Sequence, residues 1–177
     1  MTLIMSEHQK RIIRSVRLPA DGPSIMEVFS AAKQIMVASG NTRQWADKYP
    51  TLENVEEDIS REGAFVVEDN GRVVAYFAFL PSPESTYATI YDGQWLDDTL
   101  PYHVIHRIAS LPDVRGIFQS IIEFCFSKDT NIRIDTHRDN RIMRHNILKH
   151  GFTYCGVILL ANSDERLAYQ RLDNNFS

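Results

Sequence analysis

The stretch of sequence that decides the fold runs from residue 132 to residue 160 and reads IRIDTHRDNRIMRHNILKHGFTYCGVILL. It begins like a buried strand and ends, over residues 154–160, like another. Between them lie six polar residues at 135–140, a helix-like segment, and the pair Gly151 and Phe152. This order predicts a partly parallel sheet with a polar corner at the end of a strand, where α/β proteins bind ligands.

Outward from this unit, the remaining segments alternate between helical and strand patterns. Asn70 and Gly71 form the strongest two-residue hairpin signal, because both residue types tolerate a positive φ. Ser24 is a candidate helix cap and Gly40 a candidate helix end. The predicted strands are 11–19, 64–69, 72–80, 87–91, 103–110, 131–135, 152–160 and 165–171, and the predicted helices are 24–40, 51–60, 114–127 and 140–150.

The composition is that of an ordinary soluble globular protein, with 177 residues, 44% hydrophobic and 24% charged. This length suits a single domain over residues 1–177 with a polar tail at 173–177. No apolar run reaches membrane-span length, and the start MTLIM is too short for a signal peptide, so we expect a cytoplasmic protein without a membrane partner. Cys125 and Cys155 lie in apolar stretches and are interpreted as reduced core residues. No metal site is expected, because neither the cysteines nor His137 and His145 have a third ligand at suitable spacing.

The net charge of −4 is unevenly distributed along the chain. Residues 101–150 hold eight Lys or Arg and five Asp or Glu, a balance of +3, so the rest carries −7. The local surplus is either chance or a site for an anion such as a phosphorylated cofactor. The overall acidic charge argues against nucleic-acid binding.

Arg115 and Gly116 stand where the strand 103–110 turns into the following helix. Glycine lets the backbone approach a ligand closely, and unpaired N–H groups at a helix start favour a phosphate. Arg115 would add a charge-assisted contact. The alternative is a plain turn in which Gly116 serves only the backbone conformation.

These features together resemble the GNAT N-acetyltransferase superfamily over roughly residues 11–172. IHRIAS is similar to the central strand that pairs with the pantetheine arm of acetyl-CoA, PDVRG to the start of the pyrophosphate loop, and DTHRDN with GF to the acceptor-side corner and helix. The resemblance implies an α/β fold with a mixed, mostly antiparallel sheet, a splayed central parallel pair and helices on both faces. It implies acetyl-CoA as the acyl donor, bound by Ile108, Ala109, Ser110, Arg115, Gly116, Ile117, Phe118 and Asn140.

Two departures from the family pattern affect the expected chemistry. The loop VRGIFQS is two residues shorter than the family loop, and Phe118 stands near the place of a small residue. Ile147 occupies the position at which many members carry a tyrosine that protonates the leaving thiolate. The general acid is therefore left unassigned.

His106 is the candidate general base, because histidine titrates near neutral pH. Strict alternation along 103–110 puts His106 on one face with Ile108 and puts Arg107 on the other. Arg107 then needs an acidic partner, because a buried charge is costly without one. The alternative for His106 is a core histidine bonded to the backbone.

Tyr91, Asp92 and Trp95 are the candidate acceptor-binding residues, since aromatic walls with carboxylates suit a cationic amine. The alternative is a solvated loop in which Trp95 covers the core.

The expected function is transfer of the acetyl group of acetyl-CoA to a primary amine of a small molecule or peptide. The alternative is a non-catalytic CoA-binding or regulatory module on the same fold. Assembly as a homodimer is left open.

Overall fold

The computed structural model describes residues 11–173, so the MTLIM start and residues 174–177 of the polar tail lie outside the described residues. No helix in the described part is both long and apolar enough to cross a membrane. A 3-10 turn at Ser85–Tyr87 lies between the third and fourth strands. The other elements are β1 (Arg11–Ser15), α1 (Gly22–Ala38), α2 (Leu52–Ser60), β2 (Ala64–Asp69), β3 (Arg72–Pro81), β4 (His103–Ser110), α3 (Ile117–Phe126), β5 (Asn131–Thr136), α4 (Arg141–Lys149), β6 (Thr153–Leu159) and β7 (Glu165–Leu172).

Seven strands form one mixed sheet in the order β1-β2-β3-β4-β5-β7-β6. Every neighbouring pair is antiparallel except β4 and β5, which run parallel. The parallel pairing is short. It joins residues 103–105 of β4 to residues 132–134 of β5, and beyond them the two strands separate. The predicted mixed, mostly antiparallel sheet with a splayed central parallel pair is confirmed.

Helices cover both faces of the sheet, as two neighbouring residues of β3 show. Tyr76 and Phe77 point to opposite faces, because successive side chains of a strand alternate. Tyr76 packs edge-on against Phe29 of α1, with ring centroids 5.1 Å apart. Phe77 packs against Phe124 of α3, with centroids 5.8 Å apart. Each face of the sheet is therefore buried beneath its own helical layer.

The polar corner ends β5 and starts α4, as predicted. Asn140 caps α4, since its Oδ1 accepts a hydrogen bond from the Met143 N–H over 3.0 Å. Gly151 follows the helix with a φ of +85°, a left-handed conformation that glycine adopts without strain. Phe152 then enters the core beside Phe126.

Two local predictions were wrong. The cap of α1 is Asp21 rather than Ser24, and the Asp21 carboxylate accepts hydrogen bonds from Arg14 instead of from the helix. The segment 87–91 is not a strand, because it packs across the sheet and makes only a single bridge, from Tyr91 to Val157.

A bulge in β4 overturns the strict alternation expected for residues 103–110. The register against β3 shifts between Tyr76 and Ala78, and Arg107 has a φ of +54°. An extra residue in one strand reverses the side-chain alternation beyond it. His106 and Arg107 consequently line the same cavity.

Candidate active site

A cavity of about 140 Å³ lies against the half of β4 that has separated from β5. Its walls come from the end of α1, the second half of β4, and the first turns of α3 and α4. Six of the residues predicted to bind the acyl donor line it: Ile108, Ala109, Ser110, Ile117, Phe118 and Asn140. The structure thus brings these residues together around one space.

Arg115 and Gly116, the other two predicted donor-binding residues, form the exposed turn just before α3. Gly116 caps the helix with a φ of +74°, which favours glycine. The first N–H groups of α3 have no intrahelical partner and carry the positive end of the helix dipole. Arg11 also lies here, donating to the Arg115 carbonyl over 2.9 Å and to the Ser120 hydroxyl over 3.1 Å, but its charge is paired with Asp69 over 3.1 Å. The turn can therefore receive an anion.

Asn41 presents an unused acceptor at the wall of the smaller cavity. The residue is buried, and its Nδ2 donates to Gln44 Oε1 over 3.0 Å. Its Oδ1 has no hydrogen-bond partner among the described residues. Because a buried unpaired acceptor costs free energy, a ligand with an N–H group would be favoured in this cavity.

A larger cavity, of about 520 Å³, adjoins the smaller one. Met36, Ile108, Asn140 and Met143 line both, so the two meet beside the open edge of β4. The charged residues that line the larger cavity are Asp47, Glu57, Glu84, Asp135 and Asp164, with Arg43, Arg61, Arg107 and Arg166. The continuous cleft can hold two ligands side by side, the second in a strongly polar environment.

His106 lies in the larger cavity between two carboxylates. Its Nε2 is 3.4 Å from Glu84 Oε2, and its Nδ1 is 3.9 Å from Asp135 Oδ2. The Tyr87 hydroxyl donates to Asp135 over 2.5 Å, and the Thr86 hydroxyl donates to Glu84 over 3.0 Å. Both carboxylates are thereby fixed in position beside the imidazole.

Two of the residues around His106, Glu84 and Tyr87, have strongly shifted pKa values. The hydrogen bond from His106 lowers the pKa of Glu84 to about 2, although burial opposes this shift. Burial, reinforced by the Asp135 charge, raises the pKa of the Tyr87 hydroxyl well above its ordinary value. At neutral pH, Glu84 is therefore ionised and accepts a hydrogen bond, whereas the Tyr87 hydroxyl is protonated and donates one.

Arg107 has the acidic partner that its place in a central strand requires. Its guanidinium donates twice to the buried Asp58 of α2 and once to the Tyr49 hydroxyl, over 3.0 Å. Tyr76 donates to the same carboxylate over 2.6 Å. Burial is the largest single influence and lowers the pKa of Arg107, but the hydrogen bonds and charges of Asp58 and Tyr49 together outweigh it and raise the pKa. This network holds the bulge of β4 against α2 and the loop that precedes it.

Tyr91, Asp92 and Trp95 are not among the described residues that line the cleft. Tyr91 and Asp92 are exposed, and Tyr91 pairs with the backbone of β6. Trp95 is buried, and its ring lies 4.0 Å from the guanidinium carbon of Arg133, which Tyr102 covers on another side at 3.8 Å. The aromatic and acidic loop thus covers the core and buries an arginine of β5, which was the alternative interpretation for Trp95.

The cleft also contains residues that no sequence pattern indicated. Glu84 lies in the irregular segment after β3, and Gln44 lies between α1 and α2. Gln44 Oε1 accepts from Asn140 Nδ2 over 2.9 Å, which ties the α4 cap to that loop. Asp135, by contrast, was indicated by the sequence, because it is the first residue of the polar corner at the end of β5.

No protein-family model and no curated protein matches this chain. Among solved structures, a GNAT-family acetyltransferase from Streptococcus agalactiae is 31% identical, with a TM-score of 0.85 over 93% of this chain and 96% of its own. One from Listeria monocytogenes is 18% identical, with a TM-score of 0.66 over 92% and 95% of the two chains. One from Bacillus cereus is 15% identical, with a TM-score of 0.57 over 93% and 98%.

The last two similarities concern the fold alone. The first also extends to sequence along nearly the whole of both chains, and the sheet separates between β4 and β5 as the resemblance implied. The chain belongs to the GNAT family of acetyltransferases.

Proposed function

We propose that this protein transfers the acetyl group of acetyl-CoA directly to the primary amine of a small acceptor. The observation that carries the proposal is the junction of the two cavities at Ile108 and Asn140, with His106 and its carboxylates on the larger side. Direct transfer requires the donor and the acceptor to meet in line, and positioning of this kind supplies much of the rate.

The residues around the smaller cavity fit acetyl-CoA. Beyond Ile105, the edge of β4 facing β5 is unpaired, so its peptide groups are open to the amides of a pantetheine arm. Asn41 Oδ1 offers one more acceptor to an N–H group of that arm. The start of α3 at Gly116, with the exposed Arg115, suits the pyrophosphate. Bound acetyl-CoA would supply the activated thioester.

The residues of the larger cavity prepare the acceptor. A protonated amine has no lone pair, so a base must first remove a proton. His106 accepts this proton, directly or through water, and Glu84 and Asp135 stabilise the imidazolium that results. Backbone N–H groups at the open edge of β4 stabilise charge on the thioester oxygen. As the C–N bond forms and the C–S bond breaks, the nitrogen loses its second proton to solvent and the thiolate takes a proton from solvent, since the buried apolar Ile147 cannot supply one.

The test is release of free CoA by the purified protein from acetyl-CoA in the presence of a panel of primary amines. Mass spectrometry identifies the acetylated product. We expect release that depends on an amine. Binding of acetyl-CoA without amine-dependent release would instead identify a non-catalytic CoA-binding or regulatory module.

A further inference from the structure

One buried cation in the larger cavity has no carboxylate partner among the described residues. Arg166 of β7 is only 5% exposed and lines this cavity. Its Nη1 donates to the Glu165 carbonyl over 2.9 Å and its Nη2 to the Gln44 carbonyl over 3.3 Å. Within residues 11–173 it forms no ion pair with a carboxylate. Both contacts position the guanidinium without compensating its charge.

The other arginines of the sheet interior differ in this respect. Arg107 is paired with Asp58, and the fully buried Arg133 is paired with Asp98 over 3.0 Å. A buried charge without a partner is costly, and proteins usually provide one. The exception at Arg166 is explained if the partner is a ligand.

Arg43 extends the positive region toward solvent. This exposed residue between α1 and α2 lines the same cavity and also lacks an ion pair in the described part of the chain. After burial, Arg166 is the main cause of a lowered pKa at the adjacent His137, and Arg43 acts in the same direction against Asp139 and Asp164. Asp164 lines the cavity but forms no ion pair with either arginine. The positive potential is therefore available to a bound anion.

The sheet places Arg166 close to the proposed site of amine deprotonation. Ala168 of β7 lies opposite Asp135 of β5, beside His106. Arg166 precedes Ala168 by two residues, so it shares a sheet face with Asp135. Diagonal neighbours of this kind have Cα atoms about 7–8 Å apart. A small molecule can therefore reach both groups at once.

We propose that the acceptor is a small zwitterion, an amine that also carries a carboxylate or phosphate, and that Arg166 and Arg43 bind this anionic group while the amine faces His106. The inference rests on the proposed acetylation of an amine and specifies the class of acceptor.

The experiment compares acceptors that differ only in the anion. Glycine, β-alanine, γ-aminobutyrate and the common L-amino acids are each assayed beside their carboxamides, and phosphoethanolamine is assayed beside ethanolamine. The best anionic acceptor should exceed its neutral counterpart in kcat/KM by about tenfold or more, mainly through a lower KM, because a charge-assisted contact is lost. The carboxylate and phosphate arms show which anion the site prefers. Equal rates for every pair would overturn the inference.

Substitutions of the two arginines test whether they are the groups that bind the anion. Arg166→Gln and Arg43→Gln should each reduce the preference for the anion by about tenfold while leaving the KM for acetyl-CoA unchanged. Arg43 is exposed, so its variant remains informative if Arg166→Gln fails to fold. Lys48→Gln, an exposed neighbour that does not line the cavity, is the matched control and should behave as wild type. An unchanged preference in Arg43→Gln and in folded Arg166→Gln would contradict the assignment.

A binding measurement separates this inference from the proposed function. If no amine releases CoA, the same acids and carboxamides are titrated calorimetrically into protein saturated with CoA. Binding of an acid in preference to its carboxamide, weakened by Arg43→Gln, would support the anion site although the enzymatic proposal had failed. Absence of such a preference would refute the anion site as well.

Discussion

Among single residues, His106 carries most of the proposed chemistry, and its substitution is the first prediction. His106→Gln keeps a hydrogen-bonding amide between Glu84 and Asp135 but cannot take a proton. We expect a loss of about a hundredfold in kcat/KM, about 2.7 kcal/mol of barrier, with normal folding and acetyl-CoA affinity. Steady-state kinetics and calorimetry measure the two effects.

The pH dependence of this variant is equally diagnostic. The base must be neutral to act, so the wild-type kcat/KM should rise with pH through the pKa of the base. Glu84, with a pKa of about 2, is ionised throughout the neutral range and contributes no inflection there. Any inflection that comes from His106 should therefore disappear in His106→Gln. If kcat/KM of the variant stayed within a few-fold of wild type and its pH profile did not change, His106 would not be the base. The proton would then leave the amine through a water relay that bypasses His106.

Asp58 is the second residue on which the proposed site depends, because it neutralises Arg107 beside His106. Asp58→Ala leaves a largely buried guanidinium and the Tyr76 hydroxyl without their acceptor. We expect the free energy of unfolding to fall by about 3–5 kcal/mol in denaturant titrations. Asp113→Ala breaks an exposed ion pair with Arg72 and is the control that should change stability little. If both substitutions lowered the free energy of unfolding equally, the network around Asp58 would not have the stabilising role described.

Among the secondary-structure elements, those with local signals were predictable from the sequence. The hairpin of β2 and β3 follows from Asn70 and Gly71, and α4 follows from its cap Asn140 and from Gly151. Their boundaries depend on backbone chemistry within a few residues. The walls of the smaller cavity come mostly from α1, β4, α3 and α4, which are regular elements as well, and the resemblance could therefore indicate them.

The features that escaped prediction depend on distant contacts. The bulge at Arg107 is held by Asp58 and Tyr49, which lie far away in sequence, so a pattern of alternation could not reveal it. The loop around Trp95 is ordered by Arg133, and its aromatic and acidic composition resembled a binding surface. Glu84 comes beside His106 only through tertiary folding, and the acceptor side was therefore the least predictable part.

Phe118 of α3 provides a prediction about the shortened loop. Its ring packs against His150, with centroids 4.9 Å apart, and also lines the smaller cavity. Because the residue is half-buried, Phe118→Ala should cost about 2 kcal/mol, less than a full core truncation, and acetyl-CoA should not bind more tightly. Phe124→Ala, on the same helix but against Phe65 and Phe77, should also reduce stability and leave acetyl-CoA binding unchanged. A gain in affinity with little loss of stability in Phe118→Ala would mean that the ring crowds the donor.

For the molecule as a whole, charge and topology concentrate around one cleft. Residues 101–150 carry the local surplus of +3 in an otherwise acidic chain. The same residues form β4, α3 and α4, three of the four elements that line the smaller cavity. The separation of β4 from β5 thus coincides with the part of the chain best suited to a phosphorylated ligand.

The most direct test of the whole account is the effect of acetyl-CoA on thermal unfolding of the intact protein. A ligand that binds only the folded state at a hundredfold excess over its Kd stabilises it by about 2.7 kcal/mol. We predict a clear rise in Tm with acetyl-CoA and none with acetyl-pantetheine, which lacks the pyrophosphate, at the same concentration. No rise at millimolar acetyl-CoA would contradict the donor site at the open edge of β4, and with it the proposed acetyl transfer.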